Sequence, residues 1–559
     1  METHLDSSNP GAPSSLSSRS LALERLFHVT VSLSDRMVVS QFLHDAEMEI
    51  KGYQTEIHKL KSAILSLEHR RDGLRQKVAK YRSLLSPIHR VPPEILRHIF
   101  TFCCTRNWLQ LSPTSASPVL AISSTCSRWR ENALSMPTLW SQICIRFEEW
   151  KEDYHALTSL THLFLGRSKS SPLSLILYFE DQAINDATKP SLTALVQQSE
   201  RWHSLRIWGI KQADLHSNLF QRLRGNLPIL SALDIAGDPE EEQNQFHWDL
   251  LSDCPKLSSL SVQPACPITT TCVLPWHQIK TLQLYHSIAF FALPLLSLCC
   301  NAEHLELLSI GDFEGIPPHA VYRDHVTLPS IKKLSIMEVE ENEHFYCIFQ
   351  NSTLPRLSEL ELHGQDILAK PLAVRKEWDE VAIINFLSRS SCSITSLTFK
   401  WVPISDEQII RLLRFMPHLK TLSLEEYPTE TNPRNQIVTR FFLKSLLVDH
   451  EHTSSFFLPR LTNLKLVVHA DSLDEHALSD AVMSRWIPHL AYASDIGVDC
   501  IKSIEVIFLD WKEDLIDTLT GSLRWMGDAG ARVTIVGRST EKGSDAREQI
   551  EERGAGILF

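Results

Sequence analysis

Between residues 36 and 85 apolar side chains return every seven positions. One seam carries Leu43, Ile50, Ile57, Ile64, Val78 and Leu85, interrupted by Arg71, and the other carries Ala46, Tyr53, Leu60, Leu67, Leu74 and Tyr81. A mean spacing of about 3.5 residues held over this length predicts a coiled-coil helix at 36–86. The rod would be roughly 65 Å long. Flanking charges bear on its partner. A parallel pair would set Arg70 against Arg75 and Lys77 against Arg82. An antiparallel pair centred near residue 64 would bring Glu49 to Lys77, Glu56 to Arg70, Glu47 to Arg82 and Lys61 to Glu68. Self-association therefore favours the antiparallel arrangement, and the other reading is one amphipathic helix lying on its own protein or on another partner.

The pattern changes at Pro87, which cannot continue a helix. "VPPEILRHIF" (91–100) opens a short helix with Pro93 and Glu94 in its first turn and Ile95, Leu96, Ile99 and Phe100 at helical spacing. A linker rich in Ser, Thr and Pro (112–118) leads to a second helix through "VLAISSTCSRWRENAL", and "PTLWSQICI" (137–145) closes the unit. So small a helical unit carries more apolar surface than it can bury, which predicts docking into a partner's groove.

Beyond residue 150 the period changes again. "LPILSALDI", "CPKLSSLSV", "WHQIKTLQL", "AEHLELLSI", "LPSIKKLSI", "LPRLSELEL", "CSITSLTF", "MPHLKTLSL" and "LPRLTNLKL" share apolar-x-x-Leu-x-apolar, with "WHSLRI" and "IKSIEV" as weaker copies. Taking Leu205, Leu233, Leu260, Leu282, Leu308, Leu334, Leu360, Leu397, Leu422, Leu464 and Ile504 as the central positions gives a period near 26 residues with longer insertions. Each L-x-L predicts a short strand whose leucines enter a core that only stacking can close. "WMGDAGARVTIVGRS" predicts a last strand with loops, capping the array. The residues flanking the second leucine would line the concave face. Among them are Trp208, Tyr285, Glu361, His363, Lys400, Glu425 and Lys465, and also Gln263, Ser309 and Gly311. Their mixed chemistry suits a protein partner, with Trp208 and Tyr285 as anchors.

Net charge is −12, which argues against a general nucleic-acid binder. No apolar run reaches the 18 or more residues of a membrane span, and the polar N-terminus lacks a signal-peptide core. Twelve scattered cysteines without C-x-x-C or zinc spacing predict reduced thiols in the cytoplasm or nucleus. No P-loop, G-x-G-x-x-G, G-x-S-x-G or H-E-x-x-H is present. "HEH" (450–452) and "DSLDEH" (471–476) read as surface polar clusters. No enzyme, metal or cofactor is expected.

The run 87–145 resembles an F-box. The family's opening LP-x-E-I/L-L-x-x-I-F is matched by "VPPEILRHIF", with Val91 at the usual leucine. Its middle L-x-x-V-C-x-x-W-R is matched by "AISSTCSRWRENA", and its closing P-x-L-W by Pro137, Leu139 and Trp140. A rod followed by this motif is similar to F-box proteins numerous in mushroom-forming fungi. The later repeats resemble the leucine-rich-repeat family, without its regular asparagine after the strand. Composition, periodicity and resemblance together predict an α/β chain: a disordered tail (1–20), the coiled-coil helix, a small helical F-box, an irregular leucine-rich-repeat solenoid (150–540) and a C-terminal tail (541–559). The resemblance further implies docking onto a Skp-type adaptor, and through it a cullin of a ubiquitin ligase, by Pro92, Pro93, Ile95, Leu96, Ile99, Phe100, Trp129, Leu139 and Trp140. The repeats would hold a substrate protein. The alternative is a coiled-coil scaffold without ubiquitin transfer.

Overall fold

The computed structural model describes residues 19–20, 23–109, 117–150, 153–179, 184–215, 217–237, 248–262, 273–285, 295–308, 325–339, 348–364, 380–427, 436–450, 456–509 and 513–537. The expected tails at 1–20 (apart from 19–20) and 541–559 lie outside them, as do Gln263, Ser309 and Gly311. The chain forms two units, residues 1–96 and 97–559.

The first unit is dominated by α1 (Leu33–Ser83), 51 residues long, or about 76 Å at the α-helical rise. Ser32 starts it with a capping box: its Oγ accepts from Asp35 N at 3.2 Å, and the Asp35 carboxylate accepts from Ser32 N at 3.0 Å. The helix stops at Ser83, ahead of Pro87, which opens a 3-10 turn instead. Leu85 therefore lies past the helix end. None of the 51 residues is buried.

Among the described residues, the second unit is built on one sheet of fifteen strands, every neighbour pair parallel and the order following the chain. It begins with β1 (Trp108–Leu109), β2 (Gln142–Arg146), β3 (Leu173–Tyr178), β4 (Trp202–Ile210) and β5 (Ala232–Gly237). It continues through β6 (Ser259–Val262), β7 (Thr281–Tyr285), β8 (His304–Leu308), β10 (Lys333–Val339) and β12 (Glu359–Gly364). It ends with β13 (Ser396–Lys400), β14 (Thr421–Glu425), β15 (Asn463–Val468), β16 (Ser503–Phe508) and β17 (Arg532–Gly537). β9 (Val326–Thr327) and β11 (Ser352–Thr353) form a separate two-stranded ladder.

The register explains why leucine recurs. Leu175, Leu205, Leu233, Leu260, Leu282, Leu305, Leu334, Leu360, Leu397, Leu422, Leu464 and Ile504 pair in one continuous row. All are 3% exposed or less. Each such burial contributes roughly 2 kcal/mol that no single strand could capture alone. The expected central position Leu308 is off by three: Leu305 occupies the row, and Leu308 pairs with Tyr285 and Met337 instead. The segment "HLELL" offers leucine at both spacings, and Leu305 and Leu307 are the pair that reach the core. At the C-terminus β17 forms, but "WMGD" belongs to the helix Glu513–Asp528 rather than to a loop.

The sheet starts well before residue 150. Asn107, fully buried, organises its first edge. Its Nδ2 donates to Leu139 O at 2.7 Å, and its Oδ1 accepts from Ser117 Oγ at 3.0 Å and Val119 N at 3.3 Å. Asn107→Ala strands these groups in the interior, an expected loss of about 3 kcal/mol. Hydrogen exchange at 117–145 reads it directly, and undiminished protection there would overturn the assignment.

Candidate docking surfaces

The helix α2 (Pro93–Cys103) has Glu94 in its first turn and two apolar stripes side by side. Leu96 and Phe100, one turn apart, are 0% and 1% exposed. Ile95, Ile99 and Phe102, at i, i+4 and i+7, are 52%, 41% and 69% exposed. An amphipathic helix normally shows one such stripe, and here a second lies exposed beside the buried one.

The nine residues that the sequence marks for docking separate on this basis. Pro92, Pro93, Ile95 and Ile99 face solvent. Leu96, Phe100, Leu139 and Trp140 are interior and so support a surface rather than form one. Trp129 is half-buried, its ring 5.1 Å from that of Phe100. Trp140 donates its Nε1–H to Ala133 O at 2.9 Å, meets Phe164 at 5.2 Å and lies beneath the Arg167 guanidinium at 4.3 Å. That anchors it to the following helix, α5 (Tyr154–Ser168), with α3 (Pro118–Thr125) and α4 (Ser127–Leu134) lying between α2 and Trp140 in the chain. Phe102 went unmarked, although its spacing from Ile95 and Ile99 was legible.

Residues 88–146 match the F-box-like family model. The chain therefore carries an F-box-like region, over 59 of its 559 residues. No curated protein matches the chain. The matched region ends on β2, so its last residues are hydrogen-bonded into the large sheet.

A second surface lies on the sheet face opposite the leucine rows. At its start Trp208 meets Tyr178 edge-on at 4.9 Å, and Tyr178 meets Trp108 at 5.7 Å. Arg146 covers Trp108 at 4.8 Å and Tyr178 at 5.6 Å. Arg206 lies 5.6 Å over Trp208 and pairs with Asp234 at 2.6 Å. Burial raises the Asp234 carboxyl above its ordinary range, against the pull of Arg206 and the Ser261 hydroxyl. Burial, with Asp234 nearby, pushes Tyr285 up to about 12. Trp, Tyr and Arg are the residue types that anchor protein interfaces. Of this group the sequence marks Trp208 and Tyr285 as anchors, and Arg206, Asp234 and Ser261 as further positions flanking the strand leucines. Trp108, Arg146 and Tyr178 were missed, though the alternation in "LSLILY" (173–178) announces β3.

Further along the same face the remaining marked residues form charge pairs between neighbouring strands. Glu361 accepts from Ser335 Oγ at 2.7 Å and pairs with Lys333 at 2.9 Å. Lys400 pairs with Glu425 at 3.7 Å and sits 4.3 Å over Trp401, and Lys465 pairs with Glu505 at 3.2 Å. His363 is half-buried in register with Lys400. Gly364 is required where it stands: a Cβ there would fall 2.0 Å from Trp401 O.

Glu426, next to this row, is 4% exposed, and its Oε1 accepts from Ile437 N at 3.2 Å and Val438 N at 3.1 Å. Burial raises its carboxyl, against those amides and His469. A folded-state pKa above the unfolded one means that the native state holds the proton more tightly. Its stabilisation is then complete below the unfolded value and is lost as pH rises through the folded one. Glu426→Gln keeps an acceptor for both amides and removes the titration. We expect denaturant midpoints that fall less than in the parent as pH rises above the ordinary carboxylate range; an unaltered slope would refute this.

In the two histidine-bearing segments, His450 and Asp474 make local contacts. His450 stacks on Tyr492 at 5.9 Å and bonds Ser484 O at 2.8 Å, while residues 451–452 lie outside the described set. Asp474 caps a helix by accepting from Ala477 N at 2.9 Å and pairs with Arg440 at 3.1 Å. Among the described residues no His, Cys, Asp or Glu group is arranged to hold a metal, and no helix is long and apolar enough to cross a membrane.

Proposed function

We propose that this protein is the substrate-recognition adaptor of an SCF-type ubiquitin ligase. The F-box-like match at 88–146 carries the reading, supported by the exposed Ile95–Ile99–Phe102 stripe on its first helix. Ile95, Ile99 and the two prolines before them would enter the groove of a Skp-type adaptor that joins the chain to a cullin. The fifteen-stranded sheet would act as a leucine-rich-repeat solenoid, holding a substrate protein at the Trp108–Arg146–Tyr178–Trp208 cluster and along the charged row beyond it. The chain would work by proximity rather than by chemistry of its own, raising the local concentration of substrate at a ubiquitin-conjugating partner. It would do so in the cytoplasm or nucleus.

Capture of a purified Skp-type adaptor by the purified full chain tests the reading. Stoichiometric capture supports it, and none at micromolar concentration overturns it. Deleting residues 87–145 is not a clean control, because β1 and most of β2 lie inside that range. The uncovered seam of α1 favours a second reading, a scaffold assembled through the rod without ubiquitin transfer.

A further inference from the structure

We propose that α1 pairs with the α1 of a second copy of this chain, antiparallel, about a two-fold axis near residue 62. The inference stands apart from the adaptor reading. Leu43, Ile50, Ile57, Leu60, Leu67 and Leu74 are each between 48% and 62% exposed, an apolar stripe along most of a 51-residue helix. A stripe so long and narrow fits another helix, because a 3.5-residue repeat keeps facing one partner only when both supercoil.

Three observations select a second copy in this orientation. The first is Arg71, the single charge in the seam. In a parallel pair it would meet its own copy in the core, two like charges deprived of water. In the antiparallel register it faces Tyr53, whose hydroxyl donates to Glu49 at 2.5 Å. A guanidinium thereby meets an aromatic ring and a carboxylate. The second is the completeness of that register. Leu43 falls opposite Tyr81, Ile50 opposite Leu74, Ile57 opposite Leu67, Leu60 opposite Ile64 and Ala46 opposite Val78, so every seam residue within the helix finds a counterpart. The third is charge. Residues 33–57 hold five acidic and two basic side chains, and residues 58–83 hold two acidic and eight basic. Antiparallel pairing lays each half on its complement, with Glu49 at Lys77 and Glu56 at Arg70, each pair made twice. Parallel pairing lays the basic halves together.

Sedimentation equilibrium of the full chain at about 10 µM should give twice 63.7 kDa; a mass of 63.7 kDa overturns the proposal. Orientation is read by single cysteines, since the first native one is Cys103. Ala63→Cys sits at the two-fold axis and should form a disulfide with its own copy, above the parent's background. Ile50→Cys should not, because its copies would lie at opposite ends of the rod. The reverse outcome means a parallel pair and overturns the proposal. Arg70→Glu with Lys77→Glu should weaken the dimer about tenfold or more, and more at low salt. Adding Glu49→Lys and Glu56→Lys should restore it. Restoration fails if a different protein is the native occupant of the seam, and that result too overturns the proposal.

Discussion

Ile95→Asp combined with Ile99→Asp is expected to abolish capture of a Skp-type adaptor while leaving the thermal transition of the chain unchanged. Both side chains are about half exposed, so aspartate there stays hydrated and the fold loses little. In a partner's groove the same carboxylates would be stripped of water, and two central apolar anchors would be lost. Each anchor is worth about 2 kcal/mol or more, and the introduced charges add to that, so affinity should fall more than about a hundredfold. Leu96→Asp offers the contrast. Leu96 is fully buried, so a carboxylate there damages the region itself, and loss of capture would say nothing about contact. The paired experiment is a titration of adaptor with each variant, alongside its melting curve. Undiminished capture by the Ile95/Ile99 double variant would refute the assignment of that stripe.

Arg485→Met should be the most damaging single change in the C-terminal part of the sheet. The Arg485 side chain is 1% exposed and holds three separate carbonyls: Nε donates to Leu446 O at 2.5 Å, Nη1 to Leu458 O at 2.9 Å and Nη2 to Phe457 O at 2.5 Å. Burial brings its pKa down to about 10, so it remains protonated at neutral pH. Methionine fills much of the volume but leaves all three carbonyls in a dry interior. We expect a loss of about 4 kcal/mol. The neighbouring cluster of Val448, Ile487, Ala493 and Val498 should open with it. Denaturant unfolding followed by hydrogen exchange over 446–501 would report both, and a midpoint within error of the parent would count against the role assigned. Lysine should rescue only in part, because one ammonium cannot span the fork of a guanidinium.

These sites differ in how far they can be read from sequence. The helix α1 was legible because its seven-residue period runs for most of its length. The buried rows of the sheet were legible for the same reason, except where leucines crowd: "HLELL" satisfies two phases, and only pairing with Leu282 and Leu334 chooses Leu305. At α2 the difficulty is different. Ile95, Leu96, Ile99 and Phe100 are equally apolar, so periodicity marks all four and cannot say which pair the chain keeps for itself. The aromatic cluster was hidden by distance along the chain. Trp108 and Arg146 stand 38 positions apart yet meet across the neighbouring strands β1 and β2. Arg485 gave no signal at all, since nothing local distinguishes a buried arginine from a solvated one.

The strand that closes the F-box-like region, β2, is also a rung of the sheet, hydrogen-bonded to β1 on one side and β3 on the other. A rung cannot swivel. Under the adaptor reading proposed above, a substrate held farther along the sheet would be carried at a bearing and reach, relative to β2, fixed by how many strands intervene and how much each one turns on the last. On that reading the sheet would be a ruler as well as a grip. Inserting or removing one strand with its connection would then leave every contact residue intact and still change that bearing.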